Sequence, residues 1–151
     1  MNYNASYLKL IFLIFLLFFL GCKTKTNQIV NHQREGKWIT VDTLDYVYIT
    51  KGKYKKGKEK GTWKYLYNGK VVRKERYKNG ICHAYFYYPN GKIMKRGYTK
   101  LDSNDTVNHW YYYGKWYCYN KNGILTTIKT YEKGKIIDSL IVRNASRIKP
   151  L

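Results

Sequence analysis

The residues most capable of nucleophilic or metal chemistry are a few cysteines and histidines. Cys82 and His83 are adjacent, and His109 and Cys118 follow at longer separations. Adjacent side chains on a β-strand leave opposite faces, so Cys82 and His83 cannot bind one metal ion or form one nucleophile–base pair without distortion. The chain also lacks a Gly-x-Ser-x-Gly turn, paired carboxylates and a glycine-rich loop that opens a helix. The sequence therefore predicts no enzyme, no metal site and no cofactor.

Cys82 and Cys118 could instead form a disulfide, because an even number of thiols remains if Cys22 is modified. In the repeat frame described below, Cys118 corresponds to Tyr87, which lies five residues after Cys82. An odd separation predicts that the two thiols leave opposite faces of a sheet unless a β-bulge intervenes. We therefore expect two buried or half-buried free thiols, with a disulfide as the alternative.

Lysine and arginine dominate the charged residues. They number 29 against 9 aspartates and glutamates, which gives a formal net charge of +20. The densest run starts at Lys51, and its candidate binding residues are Lys53, Lys55, Lys56, Lys58, Lys60, Lys70, Arg73, Lys74 and Arg76. A field of this sign attracts phosphate-rich partners. The alternative is that these residues only solubilise a thin sheet and protect its exposed edges.

An apolar segment near the N-terminus indicates where these residues act. Leu10 to Leu20 is an unbroken run of eleven apolar residues, preceded by Lys9 and followed by Gly21 and Cys22. A membrane-spanning helix needs about 20 residues, whereas the apolar part of a secretion signal takes about 7 to 15. The segment resembles a bacterial lipoprotein signal, which implies cleavage before Cys22 and a diacylglycerol group on its sulfur. The alternative is an ordinary cleaved signal or an uncleaved anchor.

This resemblance implies a position in the cell envelope. Lys23 follows the cysteine, so the aspartate that retains some lipoproteins at the inner membrane is missing. An outer-membrane lipoprotein that faces the periplasm is therefore expected. Its expected partners are the membrane, through lipidated Cys22, and a protein or an anionic envelope component such as lipid head groups or lipopolysaccharide. Basic residues interleaved with aromatics also describe single-strand nucleic-acid binders, but export argues against a nucleic-acid partner.

Glycines at a fixed interval define the elements that position the basic residues. Gly69, Gly80 and Gly91 are eleven residues apart, and so are Gly123 and Gly134. Asn-Gly tolerates the positive φ angles of a tight hairpin turn, and the residues between turns suffice for one strand of ordinary length. The spacing predicts an all-β fold. Its form is an antiparallel meander of repeated β-hairpins, an open sheet or solenoid, after an N-terminal signal helix.

Aromatic side chains supply the predicted core. A hairpin unit of about 22 residues cannot bury its own aromatic face and must stack on its neighbours. Rings at alternate positions share one face of a strand. The aromatics expected at the repeat positions are Trp63, Tyr65, Tyr77, Tyr85, Tyr87, Trp116 and Tyr131. Such a ladder could instead grip sugar rings or an extended peptide.

Short motifs that recur along the chain resemble those of a known repeat family. The Gly-x-Trp motif occurs at Gly61-Thr-Trp63 and at Gly114-Lys-Trp116. Each copy is followed by alternating aromatics, an Asn-Gly turn and a Tyr-x-x-Gly motif. This pattern resembles the MORN-repeat variant of bacterial lipoproteins and YwqK-type antitoxins. The resemblance covers about residues 52–135, with Gly36-Lys-Trp38 as a degenerate first copy. It implies a non-catalytic repeat module that binds a partner. As an alternative it implies an antitoxin or immunity protein that neutralises a toxin.

The patterns divide the chain into four predicted segments. They are a signal peptide at 1–21, a flexible tether at 22–35, a repeat domain at 36–143 and a C-terminal tail at 144–151. Two stretches exceed the repeat period, Val41–Thr50 and Thr99–His109, and the second is expected to hold a lengthened hairpin loop at Asp102–Asp105. A last strand from Lys135 is expected to cap the sheet.

Overall fold

The structure, a computed structural model, describes residues 25–43, 46–104 and 107–143. This part of the chain forms ten strands, Gln28–Val30 (β1), Gln33–Asp42 (β2), Tyr48–Lys55 (β3), Lys58–Tyr67 (β4), Lys70–Lys78 (β5), Ile81–Tyr87 (β6), Ile93–Asn104 (β7), Val107–Tyr119 (β8), Leu125–Glu132 (β9) and Lys135–Ile141 (β10). It contains no helix long and apolar enough to cross a membrane. The predicted signal peptide, Cys22, the start of the tether and the tail lie outside the described residues.

Each strand pairs antiparallel with the next strand along the chain, so the ten strands form one meander in sequence order. The described sheet is open, and β1 and β10 are its two edges. The all-β meander of hairpins predicted from the glycine spacing is therefore confirmed.

The connections whose residues are all described include two kinds of tight turn. At Asn68 and Gly69 both turn residues have positive φ (45° and 76°), as a two-residue type I′ turn requires. At Gly91 the glycine has positive φ (82°), and its N–H donates to the carbonyl of Tyr88 at 2.9 Å. Gly123 repeats this longer turn. Every glycine predicted to lie in a turn therefore does so with a left-handed backbone.

The two faces of the sheet differ in burial. Residues opposite one another on neighbouring strands share a face, and successive residues alternate between faces. We call the face that carries Trp63, Cys82 and Trp116 the inner face, because these side chains are 3%, 0% and 1% exposed. The opposite face is the outer face.

The sheet curves toward its inner face. Strands β5 and β8 are three positions apart in the sheet, which in a flat sheet corresponds to about 14 Å. The rings of Tyr77 on β5 and Trp110 on β8 nevertheless lie 5.6 Å apart, edge to face. The inner face is therefore concave, and the outer face is convex.

Each buried tryptophan packs on a glycine of the preceding strand. A Cβ atom on Gly52 would lie 2.1 Å from Cδ2 of Trp63, and one on Gly97 would lie 2.3 Å from Cδ2 of Trp116. Each indole Nε1 donates to the carbonyl of the residue after that glycine, at 3.2 and 3.1 Å. In both places three residues, Gly-x-Trp, oppose one glycine, and the first of the three has positive φ (67° and 64°). The Gly-x-Trp motif thus forms a β-bulge that places the indole ring over the backbone of the glycine on the preceding strand.

The predicted flexible tether is wrong at its C-terminal end. Strand β1 and the first residues of β2 lie within residues 22–35. Asn31 and His32 have positive φ (49° and 59°) and form the turn between these strands. The side chain of Asn27 bonds both the N–H and the carbonyl of Ile39 at 2.7 Å. Backbone pairing and an asparagine side chain therefore order a segment that has few apolar residues.

The predicted long loop at Asp102–Asp105 is also wrong. Strand β7 runs to Asn104, strand β8 begins at Val107, and these two residues pair. Residues 105 and 106 lie outside the described residues. The extra residues lengthen a hairpin, because antiparallel pairing absorbs an insertion symmetrically in both strands. The expected last strand is present as β10, and all seven of its residues are exposed.

Strand β6 buries residues other than those predicted. Cys82 and Ala84 face inward and are 0% and 1% exposed, and Phe86 packs against the same cluster. Tyr85 and Tyr87 were expected in the core, but they occupy alternate positions and lie half-buried on the outer face. Because Tyr85, Phe86 and Tyr87 are all aromatic, the sequence did not indicate which alternate residues of this strand face the core.

Candidate functional site

A row of three lysines crosses neighbouring strands on the outer face. Lys51 on β3 lies directly opposite Lys64 on β4, and Lys64 lies directly opposite Lys74 on β5. Neighbouring strands are about 4.8 Å apart. Like charges directly opposite one another destabilise a sheet, so this arrangement disfavours folding.

A second row runs beside the first. Lys53 on β3 lies opposite both Lys37 on β2 and Lys60 on β4. Strands β3 to β5 contain two carboxylates, Glu59 and Glu75, and both face inward. No carboxylate of these three strands therefore offsets the outer lysines. We call the two sets, Lys51–Lys64–Lys74 and Lys37–Lys53–Lys60, the lysine rows.

Tyrosines continue the first lysine row across the sheet. Lys74 lies opposite Tyr85 on β6, Tyr85 opposite Arg96 on β7, and Arg96 opposite Tyr117 on β8. The guanidinium of Arg96 lies 5.3 Å from the Tyr117 ring, and its Nε donates to the Tyr119 hydroxyl at 3.0 Å. Cations and rings thus alternate along this line and hold one another in place.

A parallel line of rings lies next to it. Arg76, His83, Tyr98 and Tyr113 are successive cross-strand partners on β5 to β8. The His83 and Tyr98 rings stack with centroids 4.4 Å apart, and Tyr98 and Tyr113 remain 44% and 42% exposed. Burial, followed by the nearby charges of Arg96 and Arg76, lowers the pKa of His83. We call Tyr85, Arg96, Tyr98, Tyr113 and Tyr117 the tyrosine platform.

Most of the predicted basic residues lie on this face. Strand pairing places six of them outward: Lys53, Lys55, Lys58, Lys60, Lys74 and Arg76. Lys56 lies in the turn between β3 and β4, and Lys70 begins β5 beside the Asn68–Gly69 turn.

Arg73 and Lys64 differ from the sequence-based assignment. Arg73 faces inward and pairs with Glu75, so we exclude it from the outer surface. Lys64 was missed, although it follows Lys60 at an even spacing through Thr62. Period-two alternation on a strand was the pattern that could have identified it.

The inner face holds a buried carboxylate with several donors. Glu75 is 1% exposed. Its Oε2 accepts hydrogen bonds from the Tyr65 and Tyr77 hydroxyls at 2.6 and 2.8 Å, and its Oε1 pairs with Arg73. Burial, followed by contact with the Glu75 carboxylate, raises the pKa of Tyr65 and of Tyr77. Both phenols therefore remain protonated donors at neutral pH.

A cavity of about 440 Å³ adjoins this cluster and is lined by residues that include Trp110, Phe86 and Tyr112. The Glu75 oxygens and the two tyrosine hydroxyls are occupied by one another. Arg73 lies 4.7 Å from the Tyr65 ring, 5.3 Å from the Phe86 ring, and its buried Nε has no hydrogen-bond partner. A polar network used internally is typical of a structural role, so we assign this cluster to the curved core.

Cys82 and Cys118 are free, with Cys82 buried and Cys118 half-buried, as expected. The expectation that they face opposite ways is wrong. Gly91 and Gly123 occupy equivalent turns 32 residues apart, so Cys118 corresponds to Phe86 and not to Tyr87. Phe86 and Cys118 both lie opposite Lys95, which places Cys118 on the inner face with Cys82.

The Cys82 thiol is a poor nucleophile. Burial, followed by the charge of Glu75, raises its pKa to about 11, so it stays protonated at neutral pH. His83, its sequence neighbour, lies on the outer face. The described residues contain no group of three or more His, Cys, Asp or Glu side chains that could hold a metal ion.

Known proteins supply no relative that would assign a function. The chain matches no protein-family model, no curated protein and no solved structure. The resemblance to the MORN-repeat variant therefore rests on the Gly-x-Trp, Asn-Gly and Tyr-x-x-Gly phrases. The lysine rows and the tyrosine platform are the features from which a function is inferred.

Proposed function

We propose that the protein is a lipid-anchored, non-catalytic cell-envelope module that binds an anionic envelope component through the outer face of its sheet. The observation that carries this proposal is the row Lys51–Lys64–Lys74. Each directly opposed pair of like charges costs roughly 0.2–1 kcal/mol of folding free energy. Lysines that served only solubility would need exposure but not direct opposition. A bound polyanion would neutralise these charges and remove the repulsion, which accounts for the direct opposition of the lysines.

The N-terminal sequence supports the location. The apolar run ending at Leu20, followed by Gly21 and Cys22, resembles a lipoprotein signal. Acyl chains on Cys22 would contribute about 0.8 kcal/mol per buried CH₂ group. Strand β1 begins six residues after Cys22, which limits the reach of the connection to roughly 20 Å. The sheet would therefore lie close to the membrane surface.

Binding to lipopolysaccharide and to zwitterionic vesicles tests the proposal, with the acyl chains of the full-length lipoprotein already anchored in zwitterionic lipid nanodiscs. We expect salt-sensitive binding to lipopolysaccharide and none to the vesicles. The triple change Lys51→Gln, Lys64→Gln and Lys74→Gln should weaken binding about tenfold or more, because three closely spaced cations are lost.

The matched control is the change of Lys121, Lys133 and Lys135 to Gln, which removes the same charge from turns and an edge. This control should retain nearly all of the affinity. Equal losses in the two triple variants would mean that net charge alone drives binding and would contradict the proposal. Separately, a Cys22→Ala variant should lose its membrane association during fractionation.

A second candidate function is that of an antitoxin or immunity protein, which the sequence resemblance implies. One observation favours a protein partner: the edge strand β10 exposes Ile137, Leu140 and Ile141 by 61%, 57% and 69%. An exposed apolar edge can accept a strand from another protein. Expression with the toxin of a neighbouring gene should then rescue growth, and Leu140→Lys should abolish the rescue. Absence of rescue by the unchanged protein would exclude this candidate.

A further inference from the structure

We propose that the ligand of the outer face is an acidic polysaccharide, whose anionic groups meet the lysine rows while its sugar rings lie on the tyrosine platform. This inference rests on the proposed function and names the ligand class of the same face.

The line of cross-strand partners suits an extended linear chain. Lys51, Lys64, Lys74, Tyr85, Arg96 and Tyr117 occupy six consecutive strands, β3 to β8. Five strand spacings correspond to roughly 24 Å. A linear polymer that crosses the strands therefore meets three cations first and then alternating rings and cations.

The rings distinguish a sugar polymer from a simple polyanion. Tyr98 and Tyr113 are direct cross-strand partners, and each leaves more than two fifths of its surface exposed, at 44% and 42%. The Lys100 ammonium lies over the Tyr113 ring, 3.8 Å from its centroid, and His83 stacks on the Tyr98 ring, so the sugar contact falls on the parts of the two rings that remain exposed. A tyrosine offers an apolar face for the C–H groups of a sugar and a hydroxyl for its polar edge. A chain of bare phosphates would use the cations and leave the rings unused.

The curvature argues against a bilayer as the ligand. The outer face is convex, since the inner-face rings of Tyr77 and Trp110 converge to 5.6 Å across three strand spacings. A flat layer of head groups would touch a convex sheet along a narrow band. A flexible polysaccharide chain can follow the curve and reach both the lysine rows and the tyrosine platform.

The test measures binding of the full-length lipoprotein, anchored in zwitterionic lipid nanodiscs, to four probes: polygalacturonate, neutral dextran, polyphosphate and vesicles that contain phosphatidylglycerol. We expect the tightest binding to polygalacturonate and none to dextran. Lys64→Gln should weaken the binding of polygalacturonate and of polyphosphate by the same factor, because both ligands use the lysine rows.

Variants of the platform separate the sugar contact from charge. The double change Tyr98→Leu and Tyr113→Leu should weaken polygalacturonate binding about tenfold and change polyphosphate binding by less than about twofold. Tyr98→Phe with Tyr113→Phe should restore most of the affinity, because the ring faces return. The control is Tyr46→Leu, because Tyr46 is 60% exposed and lies outside the platform. This change should leave the binding of both ligands unaltered.

The outcomes distinguish the two proposals. If polyphosphate or the anionic vesicles bind as tightly as polygalacturonate, and the Leu variants bind all probes normally, the polysaccharide inference is overturned while the proposed function stands. If none of the anionic probes binds, both are overturned. Circular dichroism of each variant confirms that an observed loss reflects binding and not unfolding.

Discussion

Single residues of the inner face hold the sheet together through contacts that leave no space for change. Trp116 covers Gly97, and Trp63 covers Gly52, at distances that exclude any side chain on the glycine. Indoles that lie on bare backbone bury apolar area that a single-layer sheet cannot bury against a second layer. These glycines are therefore part of the core, although they have no side chain.

A double-mutant cycle tests this contact. Gly97→Ala should lower the free energy of unfolding by about 1–3 kcal/mol, because the added methyl overlaps the Trp116 ring. In a Trp116→Leu background the same change should cost much less, since the overlap is gone. Urea denaturation of the four proteins gives both values, and additive effects would show that the two residues do not interact.

Alkaline pH should destabilise the protein through buried groups of the inner face. Burial is the main cause of the raised pKa values of Tyr65, Tyr77 and Cys82, and the pKa of the Cys82 thiol rises to about 11. The folded protein holds these protons more tightly than the unfolded chain. Stability is therefore complete below about pH 9 and falls as the pH rises through 9 to 11, by at most about 1.4 kcal/mol per pH unit for each group.

Urea unfolding at pH 7, 9, 10 and 11 measures this dependence. Cys82→Ala should reduce the slope between pH 9 and 11, because one of the titrating groups is removed. A free energy of unfolding that stays constant up to pH 11 would contradict the assignment of these groups to the folded core.

Among the elements, β10 differs from the strands of the interior. All seven of its residues are exposed, on both faces of an open edge. Leu140→Lys should therefore change the free energy of unfolding by less than about 0.5 kcal/mol and reduce self-association at high concentration. Ile128→Lys, at the half-buried cross-strand partner of Leu140, should destabilise by about 1–2 kcal/mol. Equal destabilisation by both changes would show that β10 is part of the core.

The elements also show how far the sequence allows prediction. The turn at Gly69 was predictable because Asn-Gly is chemically suited to positive φ. The buried face of β6 was not, because both alternate sets of its residues contain large apolar or aromatic side chains and a shift of one residue exchanges the faces. The opposition of Lys51 and Lys64 could not be predicted either. It depends on the bulge in which three residues of β4 oppose Gly52, and no local pattern reports cross-strand register.

At the scale of the whole molecule, charge is divided between the two faces. The formal net charge is +20, and the carboxylates of β3 to β5 all face inward while the lysine rows face outward. The inner face is closed by aromatic packing, and the outer face carries closely spaced cations beside exposed rings. Repulsion within this basic surface therefore lowers the stability of the free sheet, and a bound anionic ligand would restore that stability.

The most direct test of this account is the stability of Lys64→Gln measured without ligand at low and at high salt. Lys64 lies between Lys51 and Lys74, so its neutralisation should raise the free energy of unfolding by roughly 0.2–1 kcal/mol per relieved pair at low salt. The gain should fade at high salt, because exposed charges are screened. Lys121→Gln, in a turn away from the rows, should show no such gain. A Lys64→Gln protein that is no more stable than the unchanged protein at low salt would contradict the account.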